Sequence, residues 1–127
     1  MRTITQLAVK KFLNEENFRK DNTQVWSGYE CSTQRVSRLL LHDNEIATKE
    51  NDTIKIDNCG WFSNTTKERL NGLLYSLGRL GIQQKNFKWY LDGKEWNGQK
   101  VILLPNNEWR YVSFMGIAMR VQESLNE

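Results

Sequence analysis

Five leucines between residues 70 and 80 recur at the spacing of one face of an α-helix. They are Leu70, Leu73, Leu74, Leu77 and Leu80. Thr65 is the expected N-cap, because its hydroxyl can accept a bond from the Glu68 amide while the Glu68 carboxylate reaches back, which forms a capping box. Gly78 and Gly81 both suit a helix end, since glycine tolerates left-handed backbone. The pattern predicts an amphipathic central helix over about residues 66–79.

Both ends of the chain also carry apolar residues at helical spacing. Near the start, the pattern predicts a helix over residues 3–19 that Phe18 continues, with Thr3 or Thr5 as its cap. Its apolar positions are Ile4, Leu7, Ala8 and Phe12. From Met115 onward, a four-residue spacing predicts a short terminal helix through Ile117, Val121 and Leu125.

The segment before the central helix has the two-residue period of β-strands. Short extended pieces are expected at 25–27 and 29–31, around Gly28. Strands then follow from residue 35, over 45–50 and over 53–57, with turns at Asp43-Asn44 and Asn51-Asp52. Together these strands predict a three-stranded antiparallel meander that leads into the central helix.

The segment after the helix returns to a strand pattern. Strands are expected over residues 82–85, 87–91, 94–96, 101–104 and 109–114. Asp92-Gly93 and Asn97-Gly98 are hairpin turn sequences, and Pro105-Asn106-Asn107 ends an apolar strand. In the strand over 87–91, Phe87, Trp89 and Leu91 share one face, while Lys88 and Tyr90 share the other.

The predicted fold class is α+β: an antiparallel β-meander, a central amphipathic helix, further β-hairpins, and helical N- and C-termini. A chain of 127 residues predicts one domain over 1–127. Its core is expected over about residues 36–104, preceded by the helix at 3–19 and followed by a C-terminal extension over 105–127. This order suggests a single sheet with one face covered by a helix.

Composition narrows the function classes. The net charge of +3 permits contact with nucleic acid but is weaker than the dense charge of dedicated binders. Cys31, Cys59 and the single histidine, His42, lack the spacing of a zinc site. No nucleotide loop, calcium loop or paired nucleophile and base is recognisable. We therefore expect a protein that is not an enzyme and that uses no cofactor or metal.

We see no export signal and no apolar stretch of membrane-spanning length. We therefore expect a cytoplasmic protein whose thiols are free.

Two motifs resemble a known family. Residues 60–71 read GWFSNTTKERLN, a GW-x-S-x-TTK-x-RLN motif, and residues 89–93 read WYLDG, a WYL-x-G hairpin. With the LLHDNEIATKE segment at residues 40–50, they are similar to a family of small uncharacterised bacteriophage proteins. The resemblance extends to Gly98, and the sequence beyond is expected to be an extension. It implies a viral origin and the cytoplasm of an infected bacterial host, and it supplies no activity.

The start of the central helix is a candidate anion site, because free amide groups and a partial positive charge gather there. The leading hypothesis joins Thr65, Thr66, Lys67 and Arg69 to Lys88 and Tyr90, and takes nucleic acid or a nucleotide as the ligand. Aromatic residues alternate with lysines between residues 83 and 96, as on sheets that stack bases and contact phosphates. The alternative for the same residues is purely structural: a capping threonine, solvated basic residues, and Phe87, Trp89 and Leu91 packed on the helix.

A second hypothesis is a protein–protein interaction module that inhibits a host factor, as anti-CRISPR proteins do. It takes Trp26, Trp96 and Trp109 as the contact residues, since tryptophans dominate binding at many interfaces. The apolar strand over 101–104 would also permit a homodimer through a sheet edge. A structural virion component is a third reading, which follows from the phage resemblance alone.

Overall fold

The computed structural model describes residues 2–112, and every structural statement below concerns that part of the chain. It contains two helices, α1 (Thr3–Leu13) and α2 (Asn64–Ser76). Ten strands complete it: β1 (Phe18–Lys20), β2 (Thr23–Cys31), β3 (Gln34–Leu41), β4 (Asn44–Glu50), β5 (Thr53–Ile56), β6 (Ile82–Lys85), β7 (Lys88–Leu91), β8 (Lys94–Trp96), β9 (Val101–Leu103) and β10 (Trp109–Tyr111). The α+β class is therefore confirmed. The helix predicted from Met115 onward lies outside the described residues.

The strands form two antiparallel sheets. The larger has seven strands in the order β1-β2-β3-β4-β5-β9-β10, and the smaller has three in the order β6-β7-β8. The predicted meander is present and begins earlier than expected, because β1 and β2 precede β3 in the same sheet. The pieces predicted on either side of Gly28 form one continuous strand, β2. The first turn lies at His42-Asp43, one residue before its predicted place, and both residues have positive φ.

Both helices cover one face of the seven-stranded sheet. Helix α1 packs on β2 and β3 and against α2, while α2 reaches β4 and the small sheet at β6. Leu70, Leu73 and Leu74 are fully buried and form the centre of the core. Leu77 and Leu80 are exposed, because α2 ends at Ser76 and the chain leaves the core there. The leucine pattern therefore predicted the buried face of α2 and placed the end of the helix three residues too late.

The N-cap of α2 is not the residue that was expected, whereas the helix ends at one of the two expected glycines. Ser63, and not Thr65, is the N-cap: its hydroxyl accepts a bond from the Thr66 amide. At the other end Gly78 has φ +75°, and the Arg79 and Gly78 amides donate to Leu74 and Tyr75 carbonyls. This is a Schellman motif, which explains why the helix stops there.

The N-terminal helix is shorter than predicted. It ends at Leu13, and Phe18 belongs to strand β1, because Glu15 adopts positive φ and turns the chain into the sheet. Arg2 occupies the N-cap position without a side-chain bond, so neither Thr3 nor Thr5 caps the helix. Thr5 is instead buried and donates to the Glu68 carboxylate at 2.5 Å. None of the described helices has the length and apolar character of a membrane span.

The small sheet is an excursion from the large one. The turn at Asp92-Gly93 between β7 and β8 is confirmed, with both residues at positive φ. Asn97-Gly98 does not make a hairpin, because β9 returns to the large sheet and pairs with β5. Since β9 lies between β5 and β10, it is not an edge strand, and the proposed edge for a homodimer at 101–104 is wrong.

Candidate nucleic-acid interface

The first turn of α2 divides its basic residues between the core and the surface. Lys67 extends outward and donates from Nζ to the Gln84 side chain of β6 at 3.1 Å. Arg69, two residues later, is fully buried. The prediction that Arg69 faces solvent is therefore wrong, and a ligand at the surface does not reach it.

Arg69 is held by side chains from two distant elements and by its neighbour on α2. Its Nε donates to the Thr23 hydroxyl at 3.0 Å, and its Nη1 donates to the Thr5 hydroxyl at 2.7 Å and to the Glu68 carboxylate at 2.5 Å. Burial lowers the pKa of Arg69, and the Glu68 carboxylate opposes that shift. These bonds tie α1, β2 and α2 together, so Arg69 is a structural residue of the helix–sheet interface.

The hairpin of β6 and β7 displays the densest group of basic residues near α2. We call residues 82–91 the basic hairpin. Lys85 and Lys88 are exposed and directly opposite each other in register, and the adjacent outward pair is Gln83 and Tyr90. Lys88 also lies 3.5 Å from the exposed Glu95 carboxylate. Like charges directly opposite on a sheet repel each other, and the Glu95 carboxylate offsets part of that repulsion at Lys88.

Phe87 forms the tip of the basic hairpin. Asn86 and Phe87 both have positive φ, at 54° and 66°, which is the backbone of a two-residue hairpin turn. The Phe87 side chain is 97% exposed. The prediction that Phe87 is buried with Trp89 and Leu91 is therefore wrong for Phe87, whereas the other two are buried.

Two contacts join the α2 segment to the small sheet, but they leave the two halves of the predicted site on opposite faces of that sheet. The Phe62 ring meets the Trp89 ring edge-on at a centroid distance of 5.0 Å. With the bond from Lys67 to Gln84, this contact places the start of α2 against the β6 edge of the small sheet. Lys88 and Tyr90 lie on the other face of that sheet, because Gln84 and Trp89 share the face turned toward the core.

A cavity of about 470 Å³ opens beside the start of α2. We call it the α2 cavity. Its walls come from the end of β3, the start of β4 and the segment that leads into α2. The lining residues are Leu41, His42, Asn44, Ile46, Trp61, Ser63, Thr65 and Thr66. The volume falls within the range of roughly 300–1,000 Å³ that small-molecule sites occupy.

A family model described as "Kyanoviridae Gp96 protein" matches residues 1–113. The chain belongs to this family. It is a phage protein family, which confirms the resemblance drawn from the two motifs at that level. No curated protein and no solved structure matches the chain. The match continues beyond Gly98, and β9 and β10 complete the large sheet, so residues 99–113 are not an addition to the family's sequence.

The three tryptophans chosen for a partner surface do not form one patch in this family member. Trp96 and Trp109 are buried, at 1% and 7% exposure, and their indole groups donate to the Gln99 and Leu91 carbonyls. Trp26 is 39% exposed and lies beside Arg38 on β3, with the guanidinium 5.8 Å from the ring centre. The partner surface predicted from Trp96 and Trp109 is therefore wrong, because both side chains belong to the core.

The thiols and the histidine occupy separate places. Cys31 is exposed, and hydrogen bonds to Thr33 lower the pKa of its thiol. Cys59 packs against the core and donates to the Glu45 carbonyl, and burial raises the pKa of its thiol. His42 lies in the exposed β3–β4 turn. Among residues 2–112, no three metal-ligating side chains come together.

Sequence reasoning did not single out Phe87, Trp61, His42 or Asn44 for this surface. Asn86 is the one signal from which the turn position of Phe87 could have been predicted, since asparagine is common where a hairpin turn needs positive φ. A turn at 86–87 would have placed Lys85 opposite Lys88. The α2 cavity had no such signal, because its walls come from two segments that meet only in the fold.

Proposed function

We propose that this member of the Kyanoviridae Gp96 family is a non-enzymatic phage accessory protein that binds nucleic acid through the basic hairpin. The observation that carries the proposal is the tip of that hairpin. Two lysines stand side by side there, flanking a phenylalanine that is 97% exposed.

The arrangement is unfavourable for the protein alone in two respects. Adjacent lysines repel each other, although Lys88 has the Glu95 carboxylate at 3.5 Å. A Phe side chain left in water forgoes roughly 1.5–3 kcal/mol that burial would provide. A nucleic acid removes both disadvantages, because phosphates lie between the lysines and bases stack on the aromatic ring. Tyr90 and Gln83, on the same face, extend the contact along the sheet.

The predicted site is therefore revised in its membership. Lys88 and Tyr90 remain in it, Lys85 and Phe87 join it, and Lys67 lies at the neighbouring β6 edge. Arg69 leaves it because it is buried, and Thr66 leaves it because its side chain is buried and bonded to Ser63.

Fluorescence anisotropy with labelled single- and double-stranded oligonucleotides tests the proposal at several salt concentrations. Binding should weaken steeply with salt, because phosphate contacts release counterions. The Lys85→Ala/Lys88→Ala variant should bind more weakly and should lower the slope of log affinity against log salt by about 2, one for each lost contact.

The matched control is Lys10→Ala/Lys20→Ala, which removes the same charge from two exposed lysines on α1 and β1. It should retain most of the affinity and the wild-type slope. Equal losses in the two variants would mean that net charge, and not the basic hairpin, attracts the oligonucleotide. Absence of salt-dependent binding would refute the proposal.

Inhibition of a host protein remains the second candidate. Phe87 is the observation in its favour, since an exposed aromatic residue on a rigid turn is also a common anchor at protein interfaces. A pull-down from host lysate that survives high salt and is lost in Phe87→Ala, together with no oligonucleotide binding, would favour this candidate.

A further inference from the structure

The α2 cavity has an apolar floor and a large aromatic wall. Leu41 and Ile46 are buried beneath it. Trp61 stands at its side with 59% of its surface exposed. A flat apolar ligand would therefore cover side chains that the protein itself leaves partly in water.

The α2 cavity has a polar rim that carries no acidic, lysine or arginine side chain. The Ser63 and Thr66 hydroxyls are engaged with each other at 2.9 Å, whereas no hydrogen bond within residues 2–112 engages the Thr65 hydroxyl. The Asn44 Nδ2 group already donates to the His42 carbonyl, and His42 Nε2 lies 3.4 Å from the Asn22 amide nitrogen. The Thr65 hydroxyl, the Asn44 side-chain oxygen and the other ring nitrogen of His42 therefore supply the donors and acceptors that read the edge of a base.

Positive charge lies beside the cavity and not within it. Lys67 directly follows the lining residue Thr66, and its ammonium reaches Gln84 on β6. Lys85, the next residue of that strand, begins the tip of the basic hairpin. Lys67 is therefore the lysine that can hold a phosphate outside the α2 cavity while the base of the same nucleotide enters it, whereas Lys85 lies on the opposite face of β6 from Gln84.

We infer that the α2 cavity binds one unstacked base of a single-stranded nucleic acid, with Trp61 stacking on the base and Thr65, Asn44 and His42 bonding its edge. This inference rests on the proposed function and makes it specific: the preferred substrate is single-stranded. A base within a duplex is paired and stacked, and its edge is not free to enter the cavity.

The test measures binding of Trp61→Ala, Trp61→Phe and Thr65→Val to a labelled oligothymidylate and to a labelled duplex. Trp61→Ala should weaken single-strand binding by between about 5-fold and 150-fold, the effect of losing one stacked base. Its duplex affinity and salt slope should stay at the wild-type values. Trp61→Phe should restore part of the affinity, because phenylalanine keeps a stacking surface.

Trp26→Ala is the matched control, since it removes another exposed tryptophan at β2, outside the cavity lining. It should bind both probes as the wild type does.

A second arm titrates thymidine monophosphate into the Trp26→Phe variant and follows tryptophan fluorescence. Trp61 is then the most exposed of the remaining described tryptophans, and base stacking should quench its emission.

The two arms separate the inference from the proposed function. Quenching by the nucleotide without oligonucleotide binding would support base binding in the α2 cavity and overturn nucleic-acid binding by the basic hairpin. Salt-dependent oligonucleotide binding that is unchanged in Trp61→Ala and Thr65→Val, without nucleotide quenching, would overturn the cavity alone. Equal loss of single-strand and duplex binding in Trp61→Ala would also overturn it, and no binding in either arm would overturn both.

Discussion

The small sheet has two hairpin turns with the same backbone and opposite surroundings. Asn86-Phe87 and Asp92-Gly93 each place two residues at positive φ. Asp92 is buried and bonded on both carboxylate oxygens, to Arg79 at 2.8 Å and to the Gly81 amide at 2.9 Å. Phe87 is 97% exposed. Equal geometry therefore does not imply an equal role: one turn attaches the sheet to the molecule, and the other is displayed.

Arg79 explains how the attached turn is held. Besides Asp92, its guanidinium donates to the Leu104 and Glu108 carbonyls, both at 2.6 Å. These two carbonyls flank the turn between β9 and β10. One side chain thus joins the end of α2, the small sheet and the edge of the large sheet, and keeps the basic hairpin in a fixed position.

The largest effect is expected from Arg79→Ala. The change leaves the buried Asp92 carboxylate without its partner, and breaking a buried ion pair in this way costs about 3–5 kcal/mol. Urea unfolding should show that loss. Arg110→Ala is the control, because Arg110 is exposed on β10, and it should change the unfolding free energy by less than about 0.5 kcal/mol. Similar small losses in both variants would mean that Asp92 is not held as described.

A smaller change of opposite sign is expected from Lys85→Glu. It replaces a like-charge pair across β6 and β7 by an opposite-charge pair, which should raise the free energy of unfolding by about 0.2–1 kcal/mol. The same variant should bind oligonucleotides much more weakly, because it places a carboxylate among the phosphates. A variant that is both more stable and less able to bind would indicate that the residues of the Asn86-Phe87 hairpin serve binding at the expense of stability. Wild-type binding by this variant would contradict that view.

The smallest effect on stability is expected from Phe87→Ala. A side chain that is almost wholly in water has no packing to lose, so the unfolding free energy should stay within about 0.5 kcal/mol of the wild-type value. Thermal and urea unfolding measure this directly. A loss above about 1 kcal/mol would show that Phe87 packs on the molecule, and the contrast between the two turns would then disappear.

Local pattern was sufficient to predict most strands and the apolar face of α2. The Asp92-Gly93 turn and the buried Leu70, Leu73 and Leu74 follow from residue type and spacing within one segment. Such signals depend on neighbours a few residues away, which the sequence displays directly.

The burial of Arg69 could not be predicted from such local patterns. Arg69 stands next to Leu70 and outside the leucine stripe, so the pattern of α2 alone assigns it to solvent. Because α2 is covered by both α1 and the sheet, its buried arc is wider than the stripe. The partners that make burial tolerable, Thr23 and Thr5, are 46 and 64 residues away in sequence. No pattern within one element reveals them.

The candidate site was predicted only in part for a similar reason. Lys88 and Tyr90 share a face by strand alternation, which a sequence shows. Phe87 was misplaced because the strand was extended back through a residue that belongs to the turn. Trp96 and Trp109 were misplaced because the burial of a large aromatic residue depends on which elements pack over it.

The chain leaves the large sheet at Ile56 and returns to the neighbouring position at Val101. The Asn58 amide donates to the Gly98 carbonyl at 2.9 Å, so the two ends of the excursion are fastened together. Gly98 has no room for a side chain, because an added Cβ would collide with Asn58. The segment between these two residues is therefore closed at its base. We expect a change of length at its distal hairpin to leave the spacing of β5 and β9 unchanged, because Asn58 and Gly98 stay joined.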